Sequence, residues 1–153
     1  MNKISNIREI RKEDYMEWKI LWAQYNKFYG RFGDTALPEE IIINTWNRFF
    51  DPTEPVFCLV AESDKKLTGF AHFIYHRNTT IIENTCYLQD LFVSEIYRGK
   101  NIGKSLIDAV CENAKESGAK KVYWHTHETN TQAMYLYDKI AKKTGFLLYS
   151  KLI

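Results

Sequence analysis

Little in this sequence supplies a cross-link, a membrane span or a strongly charged surface. Its three cysteines, Cys58, Cys86 and Cys111, form no Cys-x-x-Cys pair and leave one without a mate. That excludes a disulfide framework and reads as a reducing, cytoplasmic setting. No apolar run is long enough to span a bilayer. The N-terminus carries Lys3, Arg8, Glu9, Arg11 and Lys12 where a secretory signal needs an apolar core. A formal net charge of +2 is too small to argue for nucleic acid or an anionic membrane as partner. There is no internal repeat and no low-complexity segment. His125-Thr126-His127 sets two imidazoles on one strand face, but a metal site needs a third ligand. His72 and His76 share no spacing that supplies one, so no metal is expected.

What remains suits one compact domain over residues 1–153. With 45% hydrophobic and 15% aromatic residues, the chain can bury a sizeable core. It opens with a short strand near Ile4 to Ile10, and Lys12-Glu13-Asp14 places acidic residues at a helix start. Trp18, Leu21, Trp22, Tyr25 and Phe28 follow at helical spacing and read as a core-facing stripe. Two glycines among aromatics make Tyr29 to Asp34 a flexible, partly apolar rim. Pro38 with Glu39 and Glu40 starts a second helix, whose buried face is expected to be Ile41, Ile42, Thr45, Trp46 and Phe49. Val56 to Glu62 and Leu67 to Tyr75 read as an antiparallel hairpin around Ser63-Asp64-Lys65-Lys66. A further strand ends at Val93. A helix then runs to a stop at Ser117-Gly118, and a strand follows from Val122 to Thr126. The last elements expected are a helix from Asn130 to Lys142 and a closing strand from Phe146 to Leu152.

The most informative stretch joins the strand ending Leu91-Phe92-Val93 to the helix beginning near Ile102. Between them lies Arg98-Gly99-Lys100-Asn101-Ile102-Gly103-Lys104. A glycine-bearing turn that feeds a helix N-terminus aims backbone N–H groups and the helix dipole at one point, which suits a phosphate or pyrophosphate. Gly99 to Ser105 nearly spells a nucleoside-triphosphate loop. That motif needs four residues between its glycines, whereas this chain has three.

Strand, Arg-Gly-Lys-Asn-Ile-Gly and helix together resemble the acetyl-CoA signature of the GNAT N-acetyltransferases, Arg/Gln-x-x-Gly-x-Gly/Ala. Asn101 stands where that signature has its middle glycine, and asparagine tolerates left-handed backbone nearly as well. Asn130-Thr131-Gln132-Ala133-Met134-Tyr135-Leu136-Tyr137 resembles the family's Asn-x-x-Ala-x-x-Leu/Phe-Tyr. The tail from Lys143 to Lys151 looks more like the yeast-type histone and polyamine acetyltransferases, with the diamine and spermidine acetyltransferases as cousins. The resemblance covers nearly the whole chain. It implies an α/β (α+β) fold with a mixed, mostly antiparallel sheet, helices on both faces, and the order β-α-α-β-β-β-α-β-α-β. Acetyl-CoA is the implied cosubstrate. Leu91, Phe92, Val93, Arg98, Gly99, Lys100, Asn101, Ile102, Gly103 and Lys104 would hold it, and Asn130 and Ala133 would lie along the pantetheine. By the same resemblance Tyr137, which the motif's spacing selects over Tyr135, would lie beside the thioester sulfur. The segment between the first two helices would border the acceptor pocket.

The implied reaction sets its own requirements. A lysine-like amine has a pKa near ~10.4 and must lose a proton before it attacks. The oxyanion needs fixed donors, which a backbone N–H between Leu91 and Val93 can supply. The leaving thiolate needs a proton, the role assigned to Tyr137. In polyamine relatives a glutamate precedes the strand aspartate, but here that position is Gln89, which cannot take a proton. Asp90 is left to hold or orient the amine, and Glu128 or His127 are further candidates for the base. Asp34, Asp90 and Glu128 are the charges expected near the cleft, and they suit a cationic acceptor. The expected acceptor is a primary amine: a polyamine, an amino acid or a lysine side chain. A domain that keeps acyl-CoA binding as a sensor without catalysis is the alternative, prompted by Asn101, Gln89 and Ala141. The apolar Leu147-Leu148-Tyr149 run predicts a homodimer through that end of the sheet.

Overall fold

The computed structural model describes residues 5–153. Five strands among them form one sheet in the order β1-β2-β3-β4-β5. These are β1 (Asn6–Glu9), β2 (Val56–Ser63), β3 (Lys66–His76), β4 (Thr85–Val93) and β5 (Val122–Tyr123). The first four pair antiparallel and β5 joins β4 in parallel. The helices are α1 (Tyr15–Phe28), α2 (Glu39–Arg48), α3 (Ile102–Glu116) and α4 (Thr131–Ile140). This is the mixed, mostly antiparallel architecture expected from the sequence.

Period-two alternation in the central strands splits the core between the two faces. Cys58 and Val60 of β2 and Phe70 of β3 point to α1, packing with Trp18, Leu21, Trp22 and Tyr25. Leu59, Ala61, Ala71 and Phe73 point the other way, to Leu106, Ile107 and Val110 of α3. Strands covered on both faces read as near-continuous apolar runs, which is why β2 and β3 are visible in the sequence. Asp64 and Lys65 both take positive φ, 52° and 62°, giving the two-residue mirror-image turn that right-twisted strands favour. At the start of the chain, Arg8 pairs with Asp14 at 2.8 Å and Glu62 at 2.6 Å, tying β1 to the α1 entrance and to β2.

Gly69 positions the far end of β4. It pairs with Val93, and a Cβ there would lie 2.6 Å from the Phe92 carbonyl oxygen. Only glycine allows this close approach of two backbones.

Three expectations need correction. Phe28 and Ile41 face solvent, so the core stripe of α1 stops at Tyr25 and α2 packs through Ile42, Trp46 and Phe49. β5 ends at Tyr123 instead of Thr126. The closing strand from Phe146 to Leu152 is not formed, since no helix or strand is present after Ile140. Gly145, at φ 83°, turns the tail, and Phe146, Leu147, Leu148, Tyr149 and Leu152 are exposed. The tail pairs with no strand among the described residues, and the free edge of β5 stays uncovered. α4 is half-covered, with Leu136, Tyr137 and Ile140 only partly buried. No helix among the described residues is long and apolar enough to cross a membrane.

Candidate active site

The site begins where two strands part. β5 pairs with β4 only at Cys86↔Val122 and Tyr87↔Tyr123, while β4 continues to Val93. Beyond Tyr87 one edge of β4 is therefore free, and its backbone groups face a wedge-shaped opening. A cavity of about 430 Å³ fills it, walled by Leu88 to Leu91 on one side and Trp124 to His127 on the other. Tyr25, Tyr29 and Arg31 form its rim, and Tyr137 enters from α4. Tyr87 and Tyr123 stack at 5.0 Å beneath it, with His125 edge-on to both.

Asp90 sits in this wall because β4 is irregular there. His72 faces Asp90 but the next residue, Phe73, faces Leu88, so Gln89 has no partner across the ladder. The bulge re-aims the neighbouring side chain. The Asp90 carboxylate meets His72 Nδ1 at 2.9 Å, and His72 Nε2 accepts the Trp18 indole N–H at 2.8 Å. The indole can only donate, so Nε2 holds the lone pair and the imidazole hydrogen lies on Nδ1, donated to Asp90. The imidazole is buried among Trp22, Phe49 and Phe70, which leaves its ring no freedom to turn. Burial alone would raise the pKa of Asp90. The hydrogen bond from His72, with the nearby Tyr25 hydroxyl and the charge of Arg31, outweighs it and holds the carboxyl below its usual range. Burial and the Asp90 charge together push the Tyr25 hydroxyl well above the usual phenol range, so it stays a donor.

Tyr137 lines the same cavity and packs edge-on against Trp124 at 5.4 Å. Burial, with Tyr29 second, pushes its pKa up to about 12. Tyr135 is 70% exposed, under the Lys139 ammonium, and lies outside the cavity. Glu128 is exposed on the turn before α4 and is not part of the lining, whereas His127 is. Asp34 is likewise exposed and apart from the cavity. Asn130 precedes α4, where its backbone N–H donates to the His127 carbonyl at 2.9 Å, and Ala133 is half-buried on the first turn.

β4 leads directly from this wall into the glycine turn. Arg98 folds back, its Nε donating to the Val93 carbonyl at 3.0 Å and its guanidinium lying over the Phe92 ring. Gly99 takes φ 77° and Asn101 φ 64°, so the asparagine does adopt the left-handed conformation that its position demands. Ser105 N–H is the first to close onto the helix, at 3.0 Å from the Asn101 carbonyl. Among the described residues, no protein acceptor meets the N–H groups of Ile102, Gly103 and Lys104. These are the open donors of a helix start. A Cβ on Gly103 would meet nothing nearer than Val93 at 3.8 Å, so the space above this turn is clear. Free donors, a left-handed turn and clear space fit the pyrophosphate of a CoA thioester. Lys104 is engaged by Asp108 at 2.6 Å and Lys100 lies over Tyr97, so side-chain charge there is partly committed.

Four residues of this region carry no functional signal in the sequence. Trp18 and His72 are 54 positions apart, and only the fold joins them to Asp90. Arg31 was visible only as part of a rim loop. Gly69 looked like an ordinary strand glycine.

The comparisons with known proteins agree with this geometry. Residues 7–141 match the acetyltransferase (GNAT) family. The D-amino-acid N-acetyltransferase HPA3 of Saccharomyces cerevisiae is 35% identical over 147 residues, covering 95% of this chain and 89% of that protein. An uncharacterised N-acetyltransferase of Bacillus subtilis, YhfO, is 28% identical over 94% of this chain and 95% of its own. The fold matches AAC(6')-Iy, solved with a bisubstrate analogue of CoA, at a TM-score of 0.82 over 98% of this chain and 99% of that one, with 18% identity. The chain therefore belongs to the GNAT family of acetyltransferases, and it is an acetyl-CoA-dependent N-acetyltransferase.

Proposed function

We propose that this enzyme transfers acetyl from acetyl-CoA to the primary amine of a small molecule, by direct attack through a tetrahedral intermediate. The observation that carries this is the cavity between β4 and the segment after β5. It brings an ionised carboxylate, Asp90, and a protonated phenol, Tyr137, into one enclosure at the free edge of β4. The same strand leads into the open donors at the start of α3.

Each group has one task. N–H groups of Ile102 to Lys104 would take the pyrophosphate, with Arg98, Gly99, Lys100 and Asn101 shaping the turn. A backbone N–H on the free edge of Leu91 to Val93 would receive the carbonyl oxygen as charge develops on it. Asn130 and Ala133, on the first turn of α4, would lie along the pantetheine. Asp90 holds and orients the incoming amine. A carboxyl kept below its usual pKa is a poor proton acceptor near neutral pH, so the ammonium proton leaves by another route, through water or His127 at the open side. Tyr137 donates toward the departing sulfur. Glu128, outside the lining, is left as a group that could receive a proton through solvent.

The acceptor class follows the relatives in part. HPA3 is a D-amino-acid N-acetyltransferase, which favours a small amino-bearing metabolite over a protein lysine. A panel of diamines, polyamines, amino acids and arylamines, assayed by thiol release, tests the proposal. Release that depends on one aliphatic amine class supports it. Acetyl-CoA binding with no release under any amine would turn the reading toward a sensor.

The assembly proposed is a homodimer. The tail carries an apolar set that this chain leaves bare, and a second groove beside β5 is lined by Ile107, Ala114, Val122, Trp124 and Ile140. Seating the tail of each copy on that end of the other's sheet would cover both. Sedimentation should give a dimer at micromolar concentration, and a chain ending at Lys143 should give a monomer. A full-length monomer refutes this assembly.

A further inference from the structure

The cavity holds a second charged group that the reaction as described does not use. Arg31 lies on its rim, on the same cavity as Asp90. It is held with unusual completeness for a loop residue. Its backbone N–H donates to the Asn26 carbonyl at 2.8 Å, and its Nε donates to Asn26 Oδ1 at 2.7 Å. Asn26 is itself buried and anchored, its amide donating to the Trp22 carbonyl at 2.9 Å. The guanidinium lies over the rings of Tyr25 and Tyr29, with centroids 5.9 and 5.5 Å away. Gly30 and Gly33, with φ 77° and 57°, let the loop double back, and the Thr35 hydroxyl closes it onto the Gly30 carbonyl at 2.7 Å.

These contacts use the backbone N–H and Nε but neither terminal nitrogen. Among the described residues, Arg31 forms no ion pair. Asp90, whose carboxyl feels its charge, is already committed to His72. One cavity thus presents a fixed cation and a fixed anion that are not closed onto each other. A guanidinium anchored through Nε on Asn26, with its terminal fork open, is suited to a carboxylate in bidentate contact.

We infer that Arg31 reads the carboxylate of the acceptor, so that the acceptor is an α-amino acid with its ammonium toward Asp90 and its carboxylate on the Arg31 fork. This deepens the proposed function and rests on it for the role of Asp90. It also selects among the acceptors. A diamine or polyamine would set a cationic group against Arg31, and a zwitterion satisfies both charges at once.

The test compares an amino acid with its own amide, which keeps side chain and amine and removes the carboxylate. Both enantiomers of leucine and leucinamide are run with wild type, Arg31→Lys and Arg31→Gln. Wild type should prefer one enantiomer of the acid over the matching amide by about 10²-fold in kcat/KM. Arg31→Gln should erase that preference, chiefly by raising KM for the acid with kcat changed little. Arg31→Lys should recover part of it, since charge returns without the fork. A second readout needs no turnover: leucine should raise the melting temperature of the acetyl-CoA-free protein more than leucinamide does, and Arg31→Gln should lose the difference. Equal use of acid and amide by wild type, or an equal loss for both in Arg31→Gln, overturns the inference. Thiol release with no amine, beside an intact leucine-dependent melting shift, would refute the proposed function and leave Arg31 as a carboxylate site.

Discussion

Replacing Tyr137 with phenylalanine isolates one hydroxyl. The ring keeps its edge-on contact with Trp124 at 5.4 Å, so stability should barely change. With a pKa pushed up to about 12, the hydroxyl is protonated in all but about one molecule in 10⁴ at pH 8. A thiol titrates near ~8.5, so handing a proton fully to a free thiolate is uphill by roughly 5 kcal/mol at about 1.36 kcal/mol per pKa unit. In the proposed reaction the phenol would therefore act first as a hydrogen-bond donor to sulfur as negative charge builds there. A hydrogen bond to a charged group is worth about 1.5–3 kcal/mol, which converts to a loss of about 10- to 150-fold in kcat. The KM for acetyl-CoA should stay within about twofold, because the proposal assigns that binding to the start of α3. Thiol release at saturating substrates, at a pH where chemistry limits the rate, gives both values. Tyr135→Phe is the control, since Tyr135 lies outside the cavity and should change neither. The wild-type rate should show no falling limb from this phenol below about pH 11. A Tyr137→Phe enzyme with near-normal kcat would falsify the assignment.

Other perturbations probe the remaining parts. Acetyl-CoA at 100 times its Kd should stabilise the protein by about 2.7 kcal/mol, ATP should do so much less, and Gly103→Glu should abolish the shift by placing bulk and negative charge among the open N–H groups. Asp90→Asn should raise the acceptor KM and leave the acidic limb of the rate profile where it was, because that limb reports loss of the amine's proton. The sign follows from the lowered pKa of Asp90: its stabilising contribution is complete above the unfolded value near ~3.9 and is lost only as pH falls through the lower folded value. An acidic limb that moves in Asp90→Asn would make Asp90 the base after all. Gly69→Ala forces a methyl against the Phe92 carbonyl, where a Cβ would sit at 2.6 Å, and should cost about 1–3 kcal/mol, or roughly 2–12 °C in Tm. A Tm within a degree of wild type would show that β4 can yield there.

What could be read from the sequence was whatever depends on near neighbours. β2 and β3 are apolar on both faces, α3 has its stripe, and the turn at Gly99 to Gly103 sits between strand and helix whatever the rest of the chain does. Asn101 could be judged alone, because left-handed backbone is a single-residue property. The relay from Trp18 through His72 to Asp90 could not be read, since its members are separated by 54 and 18 positions and none of the three spacings is diagnostic. His72 invited only a question about metals. Arg31 was hidden for another reason: its part depends on which way a loop turns, and that is decided by Asn26 and two glycines with positive φ. The closing strand failed because strand propensity in Phe146 to Leu152 says nothing of where a pairing edge lies. Among the charges expected at the cleft, Asp90 is in the cavity wall, while Asp34 and Glu128 are exposed on turns beyond it.

In the proposed mechanism one cleft, opened by the parting of β4 and β5, seats the thioester with its pyrophosphate on α3 and its sulfur at Tyr137. A crystal structure with acetyl-CoA measures this directly. Phosphate oxygens should lie about 2.7–3.2 Å from the N–H groups of Ile102, Gly103 and Lys104, with the thioester along the free edge of β4 and the sulfur within hydrogen-bonding reach of the Tyr137 hydroxyl. A CoA bound away from the α3 N-terminus, or a sulfur facing Glu128 with Tyr137 turned from it, would contradict it.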